Sequence, residues 1–229
     1  MNDQRWERYA AWSGLIFFVL LVIAFAVLPS PPDFDAPASD IANYYADHQD
    51  GIRVSVVLVT AALFFFVWFI AALRSALAAA EGGGRRLANL VYGTGLVATA
   101  AIGLAQGAVA VAALHPELTS PEVLRVLHDF SVVGFAPLTG IFFAFFFATG
   151  LAIQRLGVLP AWVGIFACVV AVIQLLGIGA MLTDDGAFAA DGVLGGFLPL
   201  IAFAVWFPAA SFALATRVRD GDSGTVASS

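Results

Sequence analysis

Apolar and polar segments alternate along the whole chain, and the apolar ones are long. Six of them reach the roughly 20 residues that a helix needs to cross about 30 Å of hydrocarbon. They lie at about 9–28, 52–73, 87–114, 127–153, 160–182 and 193–216. Backbone polar groups in lipid must find partners within their own segment, which favours helices. The pattern therefore predicts an all-α, polytopic transmembrane bundle with six spans.

The segment between the first two spans predicts one further, short helix. Its first part, "PSPPDFDAP", is typical of an extended, proline-stiffened stretch. In "SDIANYYADHQDG", Ser39 is the predicted N-cap. The apolar positions recur at i, i+3, i+4 and i+7 and form one face, made of Ile41, Tyr44, Tyr45 and His48. Because tyrosines favour the membrane interface, we expect this amphipathic helix to lie on the outer surface.

Composition supports the membrane class. Hydrophobic residues make up 61% of the 229 residues, charged residues 11%, and the mean hydropathy is +0.94. Soluble domains are roughly 45–50% apolar and about 25% charged, so a soluble domain is excluded. The single cysteine, Cys168, excludes a disulfide within the chain. We predict one transmembrane domain over residues 1–216 and a disordered cytoplasmic tail over 217–229.

The arginines predict the orientation of the bundle. With the N-terminus inside, the cytoplasmic arginines are Arg5, Arg8, Arg74, Arg85, Arg86, Arg155, Arg217 and Arg219. Arg53 and Arg125 are then left outside, and this bias matches the positive-inside rule. We expect a multi-pass protein of the bacterial cytoplasmic (inner) membrane with both termini in the cytoplasm.

Small residues and prolines suggest how the spans pack. Gly103 and Gly107 form a GxxxG pair in the third span, which favours close helix contact within the bundle, with dimerisation as the alternative. Pro137, Pro199 and Pro208 are predicted to kink the fourth and sixth spans. The short interrupted helices that form many transport sites are not visible in the sequence.

Few polar residues lie deep within the predicted spans, and those that do are uncharged. No Asp, Glu, Arg or His falls at the centre of a span, which argues against a proton-coupled pump or an ion transporter. Thr60, Gln106 and Gln174 lie in the outer halves of their spans. They either form interhelical hydrogen bonds or point into an outward-open pocket, where they would orient the polar group of a ligand.

The three histidines, His48, His115 and His128, all fall on the outer side. A zinc site would require them to meet in space, and no metal-binding spacing such as HxxxH or HExxH is present. In "SPEVLRVLHDF", Ser120 is the predicted N-cap, and Arg125 and Asp129 are spaced for an ion pair. His128 is expected at the hydrated end of the fourth span, beside the loop helix. It is the fourth candidate ligand-binding residue.

Two phenylalanine-rich blocks, "FFFVWF" (64–69) and "FFAFFF" (142–147), cover every side of their helices. Some of these rings must face lipid. Those turned inward would form an aromatic interior suited to a lipid, a quinone or a polyene.

Three phrases carry a resemblance: "ASDIANYYADHQDGIRVSVV", "SPEVLRVLHDF" before the fourth span and "LGVLPAWVGIF" before the fifth. Over roughly residues 8–215 the chain resembles a family of bacterial six-span integral membrane proteins classed as a domain of unknown function. The resemblance implies fold and location.

Three functions follow from these observations as hypotheses. The leading one is binding or passage of a small apolar or amphipathic molecule through an outward-facing pocket. The second is a structural or accessory subunit whose GxxxG face and loop helix dock a larger membrane complex, with a membrane-protein partner or a second copy of the chain. The third is an outer-face, metal-dependent membrane enzyme. The expected surroundings are the lipid bilayer, with no cofactor, no metal, no catalytic residue and no nucleic acid.

Overall fold

The computed structural model describes residues 3–33, 36–134, 138–183 and 185–226. These residues form eight α-helices: α1 (Asp3–Ala26), α2 (Ala38–Asp47), α3 (Gln49–Glu81), α4 (Arg86–Leu114), α5 (Pro121–Val133), α6 (Thr139–Leu156), α7 (Ala161–Gln174) and α8 (Leu198–Val226). Within the described part of the chain, six helical segments are long and apolar enough to cross a membrane. The predicted transmembrane bundle with six spans and a short amphipathic helix is confirmed.

Consecutive spans run in opposite directions, because short turns at 82–85 and 157–160 connect them at one end of the bundle. We call that end, which also holds the start of α1, the terminal end. The opposite end, where α2 and α5 lie, is the α2 end. Helix α1 packs between α3 and α8, α4 packs against α3 and α6, and α7 packs against α6 and α8.

An aromatic cluster occupies the middle of the bundle. Its rings come from α1, α3, α6 and α8 and meet mostly edge to face: Phe17, Phe66, Phe69, Phe145, Phe146, Phe203, Trp206 and Phe207. Such pairs contribute about 0.5–1.5 kcal/mol beyond the burial of their area. In lipid, where helices associate through packing contacts, this cluster is the main interior contact of the spans.

The fourth span differs from its prediction. We expected one helix over 127–153, but α5 ends at Val133 and α6 begins at Thr139. Pro137 lies outside the described residues. Its sequence position still gives a physical reason, because proline has no backbone N–H and disfavours helical geometry in the residue before it. The predicted fourth span therefore comprises parts of two helices, α5 and α6.

The fifth and sixth spans also depart from regular helices near the α2 end. After Gln174 the chain continues as a 3₁₀ helix over Leu175–Met181, and a π-helical turn over Val193–Phe197 precedes α8. Pro199 is the second residue of α8 and lies beside the end of the π-helical turn. Pro208 lies inside α8 as predicted.

Helix α2 has the predicted amphipathic face but a different start and partner. Ile41 and Tyr45 are buried against α4 and α5, where Leu124 is also buried, so the face contacts protein and not the bilayer. The N-cap residue is Pro37 and not Ser39. Because α2 begins at Ala38, Ser39 falls in the first turn, and its hydroxyl donates to Asp40 Oδ1 at 3.2 Å.

The GxxxG pair does not mediate packing within the bundle. A Cβ atom at Gly103 or Gly107 would meet no atom within 4 Å, because both glycines lie on the exposed side of α4. The close contact forms elsewhere, between α6 and α7. A Cβ atom at Gly150 would lie 2.4 Å from Cys168 Sγ and 2.7 Å from the Gly164 oxygen. Small-residue spacing identifies a helix face but not the neighbour that covers it.

Arg53 and Arg125, the two arginines predicted to lie outside the cytoplasm, both donate hydrogen bonds to backbone oxygens at the α2 end. Arg53 Nη2 donates to the Leu114 oxygen at 2.7 Å and Nε to the Ala113 oxygen at 3.2 Å, which caps the last carbonyls of α4. Arg125 donates to the Ala36 oxygen and forms the predicted ion pair with Asp129 at 3.1 Å. Both arginines therefore have structural roles at this end.

The last helix extends past the predicted end of the bundle. Helix α8 continues through Val226, whereas the composition predicted disorder from residue 217. A helix already nucleated in the membrane can be extended at low cost, because each added residue gains one hydrogen bond.

Candidate ligand-binding cavity

A cavity of about 380 Å³ occupies the half of the bundle nearer the α2 end. Helix α1 and helices α3 to α8 all contribute to its wall. Its volume is typical of a site for a small molecule.

The floor of the cavity is aromatic. Phe17, Phe142 and Phe203 line it, with ring centroids 6.0 Å apart for Phe17 and Phe203 and 5.6 Å apart for Phe142 and Phe203. Phe17 and Phe203 belong to the aromatic cluster and Phe142 contacts it, and the rest of the cluster fills the bundle between the floor and the terminal end. An apolar ligand part would therefore rest against ring edges and faces.

The phenylalanine-rich block 142–147 contains both rings that face the interior and a ring that faces outward, as expected. Phe142 lines the cavity, Phe145 and Phe146 are buried in the aromatic cluster, and Phe147 is exposed. The block 64–69 divides in the same way, since Phe66 and Phe69 are buried and Phe64 is exposed.

Two glutamine amides line the cavity and differ in their bonding. Gln174 is buried, and its Nε2 donates to the Pro199 oxygen at 2.9 Å. This bond connects the end of α7 to the start of α8. For the Gln106 amide, no side chain or backbone group among the described residues provides a hydrogen bond. An amide carries two donors and one oxygen acceptor. All of these groups in Gln106 are available to a ligand in the cavity.

His128 lines the cavity from the end of α5 and is buried, with 4% of its surface exposed. Its Nδ1 lies 3.4 Å from the hydroxyl of Tyr45. Burial lowers the pKa of the imidazole, Asp129 opposes this shift and Arg125 adds to it. The ring is therefore neutral at pH 7, and among the described residues Nε2 has no protein partner.

Thr60 lies outside the cavity. Its side chain is exposed on α3 and donates to the Val56 oxygen at 2.8 Å. The structure thus brings together three of the four candidate residues, Gln106, Gln174 and His128, around one space. Thr60 falls on the outer side of its helix, which the sequence could not reveal.

Sequence reasoning missed further polar lining residues. Ser131 lies one turn after His128, a helical spacing that would have identified it. Thr139 begins α6, and Asp191 lies in the connection between the fifth and sixth spans. Thr139 was hidden because the break in the fourth span was not predicted, and Asp191 because its sequence position alone does not show that this connection lies over the cavity.

The three histidines have three different surroundings. His48 Nδ1 lies 3.1 Å from the Tyr44 oxygen, and His115 Nδ1 lies 3.6 Å from Glu117. His128 faces Tyr45, as described above. The described residues contain no group of three or more His, Cys, Asp or Glu side chains that could hold a metal ion. No cluster in this part of the chain therefore supports the metal-enzyme hypothesis.

No family model, no curated protein and no solved structure matches this chain. Membership of the six-span family remains a prediction.

Proposed function

We propose that this multi-pass membrane protein binds a small amphipathic molecule in the cavity at its α2 end. The apolar part of the ligand contacts Phe17, Phe142 and Phe203, and its polar part accepts or donates hydrogen bonds at Gln106, Gln174 and His128. An apolar wall with a few convergent polar groups is the usual composition of a small-molecule site.

One observation carries this proposal: Gln106 presents its amide to the cavity from a membrane-spanning helix, with no hydrogen-bond partner among the described residues. Gln106 is half-buried, and complete burial of an amide without a partner costs roughly 1–3 kcal/mol, so the unpartnered amide carries a part of that cost. A glutamine used only for helix packing would have a partner on a neighbouring helix, as Gln174 does. A ligand supplies the missing hydrogen bonds.

We further propose that both termini lie in the cytoplasm of a bacterium and that the cavity faces outward from the cytoplasmic membrane. Eight of the ten arginines support this orientation, and the two exceptions have structural bonds at the α2 end. The filled aromatic cluster favours binding over open passage, because it separates the cavity from the terminal end.

Native mass spectrometry of the full chain, released gently from its own membrane, tests the proposal. We expect a retained small molecule on the wild-type protein and on Thr60→Leu, which lies outside the cavity. Gln106→Leu should lose most of it, by about tenfold for each 1.4 kcal/mol of lost hydrogen bonding. Bare protein in all three samples, or equal retention by Gln106→Leu, would contradict ligand binding through this amide.

A second candidate function is supported by the position of the GxxxG pair. Gly103 and Gly107 are exposed on α4, where they leave room for a helix from another protein or a second copy. This accessory-subunit function predicts discrete protein-bound species in the same spectra, which Gly103→Leu should abolish and Gly93→Leu should weaken less. A monomer in every mild detergent would contradict it.

A further inference from the structure

The rim of the cavity has an apolar part and a polar part. Phe25, Phe197 and Leu200 line the cavity, are exposed, and belong to membrane-spanning segments. Pro31 and Asp191 also line it and are exposed, but they lie in the connections beyond the spans. The cavity therefore meets both the hydrocarbon region and the adjoining polar surface.

The apolar part of the rim lies between α1 and α8. Toward the terminal end these two helices touch, with Trp12 edge-on to Phe212 at 6.5 Å and a Cβ atom at Gly14 only 2.3 Å from Ser211 Oγ. Toward the α2 end, Phe25 of α1 is 50% exposed and Leu200 of α8 is 37% exposed, although both also face the cavity. Exposed lining residues on both helices indicate a lateral opening of the cavity between them.

The start of α8 explains why the opening exists. The π-helical turn Val193–Phe197 is held against the preceding connection, since Gly195 N and Leu194 N both donate to the Ala187 oxygen, at 3.1 and 2.7 Å. A Cβ atom at Gly195 would lie 2.2 Å from the Phe188 oxygen, so only glycine permits this contact. The segment thus packs on its own loop and leaves the end of α1 uncovered.

The polar residues that line the cavity determine the charge and the hydrogen bonding of a head group that can bind there. Among the described lining residues there is no arginine, and Asp191 is the acidic one. The deeper polar groups, the amides of Gln106 and Gln174 and the imidazole of His128, offer hydrogen bonds without charge. An anionic head would find no cationic side chain among the described lining residues, whereas a carbonyl or a hydroxyl would be satisfied by the amides and the imidazole.

We infer that the ligand is a membrane-dissolved amphiphile with an uncharged, hydrogen-bonding head group, and that it reaches the cavity sideways from the bilayer, through the opening between α1 and α8. This inference rests on the proposed function, because it specifies the ligand class and the route to the same cavity. The hydrocarbon tail lies against the floor at Phe142 and Phe203 and extends along Phe25 and Leu200 toward the bilayer, and the head reaches the amides from the side of Asp191.

Two photoreactive probes with identical chains test the inference. They are hexadecanol and hexadecane sulfonate, each with a diazirine in the chain, added to the full-length protein in phosphatidylcholine vesicles. Labelled residues are mapped by mass spectrometry after increasing incubation times. Leu200→Trp narrows the lateral opening, and Ile201→Trp is the matched control, because Ile201 is exposed on α8 and does not line the cavity.

We expect the alcohol to label the cavity floor around Phe142 and Phe203. Leu200→Trp should slow this labelling about fivefold or more, since binding then needs a rearrangement, while Ile201→Trp should leave it unchanged. The sulfonate should label the floor at least about tenfold less.

Equal rates for Leu200→Trp and wild type would overturn the lateral route, and equal labelling by the sulfonate would overturn the uncharged head. In both cases the proposed function would stand. Floor residues unlabelled by either probe would contradict the inference and the proposed function together.

Discussion

Gln106 and Gln174 permit a test in which two identical side chains in one cavity should respond in opposite ways to the same substitution. Gln174→Leu removes the 2.9 Å hydrogen bond from Nε2 to the Pro199 oxygen, which connects α7 to α8. Gln106→Leu removes an amide with no hydrogen-bond partner among the described residues. Leucine is similar in size to glutamine, so neither change leaves a large void.

The expected changes in unfolding free energy follow from these contacts. Interhelical hydrogen bonds of polar side chains in membranes contribute about 0.6–2 kcal/mol, so Gln174→Leu should destabilise the empty protein by that amount. Gln106→Leu should cost nothing and should stabilise the empty protein by up to about 1 kcal/mol, because a half-buried amide with no described partner is replaced by an apolar group.

Unfolding by sodium dodecyl sulfate in mixed micelles, followed by far-ultraviolet circular dichroism, measures both variants. The protein must first be stripped of small molecules, because a ligand bound to the folded state adds its own stability. Thr60→Leu serves as the control, since its hydroxyl bonds only within its own helix. If Gln106→Leu destabilises as much as Gln174→Leu, Gln106 has a structural role and the ligand-binding argument fails.

Three further predictions concern the α2 end and the helix contacts. Lowering the pH should destabilise the fold: burial holds the pKa of His128 below its ordinary 6.5, so below pH 6.5 the unfolded chain binds more protons than the folded one. Thermal unfolding across pH should show this loss, and His128→Phe should reduce it. Arg53→Met should cost about 1–2 kcal/mol in detergent-induced unfolding, because the terminal carbonyls of α4 lose a charged donor, and unchanged stability would refute that cap. Gly150→Ala should cost about 1–3 kcal/mol in the same assay. Gly103→Ala, with open space around it, should gain up to about 1 kcal/mol; a loss at Gly103 equal to that at Gly150 would contradict the assigned faces.

The candidate site could be predicted only in part. Gln106 and Gln174 were identifiable because glutamine is rare in lipid-spanning segments and both lie at similar depth. Thr60 met the same criterion and yet lies outside the cavity. His128 was expected at a hydrated helix end, whereas α2 covers it and makes it a buried lining residue.

The sequence by itself determined the class, the number of spans and the amphipathic face of α2. These properties depend on local length and periodicity, which the lipid environment converts directly into helices. Only the tertiary structure decided which side of each helix meets a neighbour. Periodicity fixes the angles between residues on one helix, but the rotation of that helix against the others is set by contacts from distant parts of the chain. For that reason the glycines of α4 face outward, the fourth span is broken, and three polar residues from separate helices share one cavity.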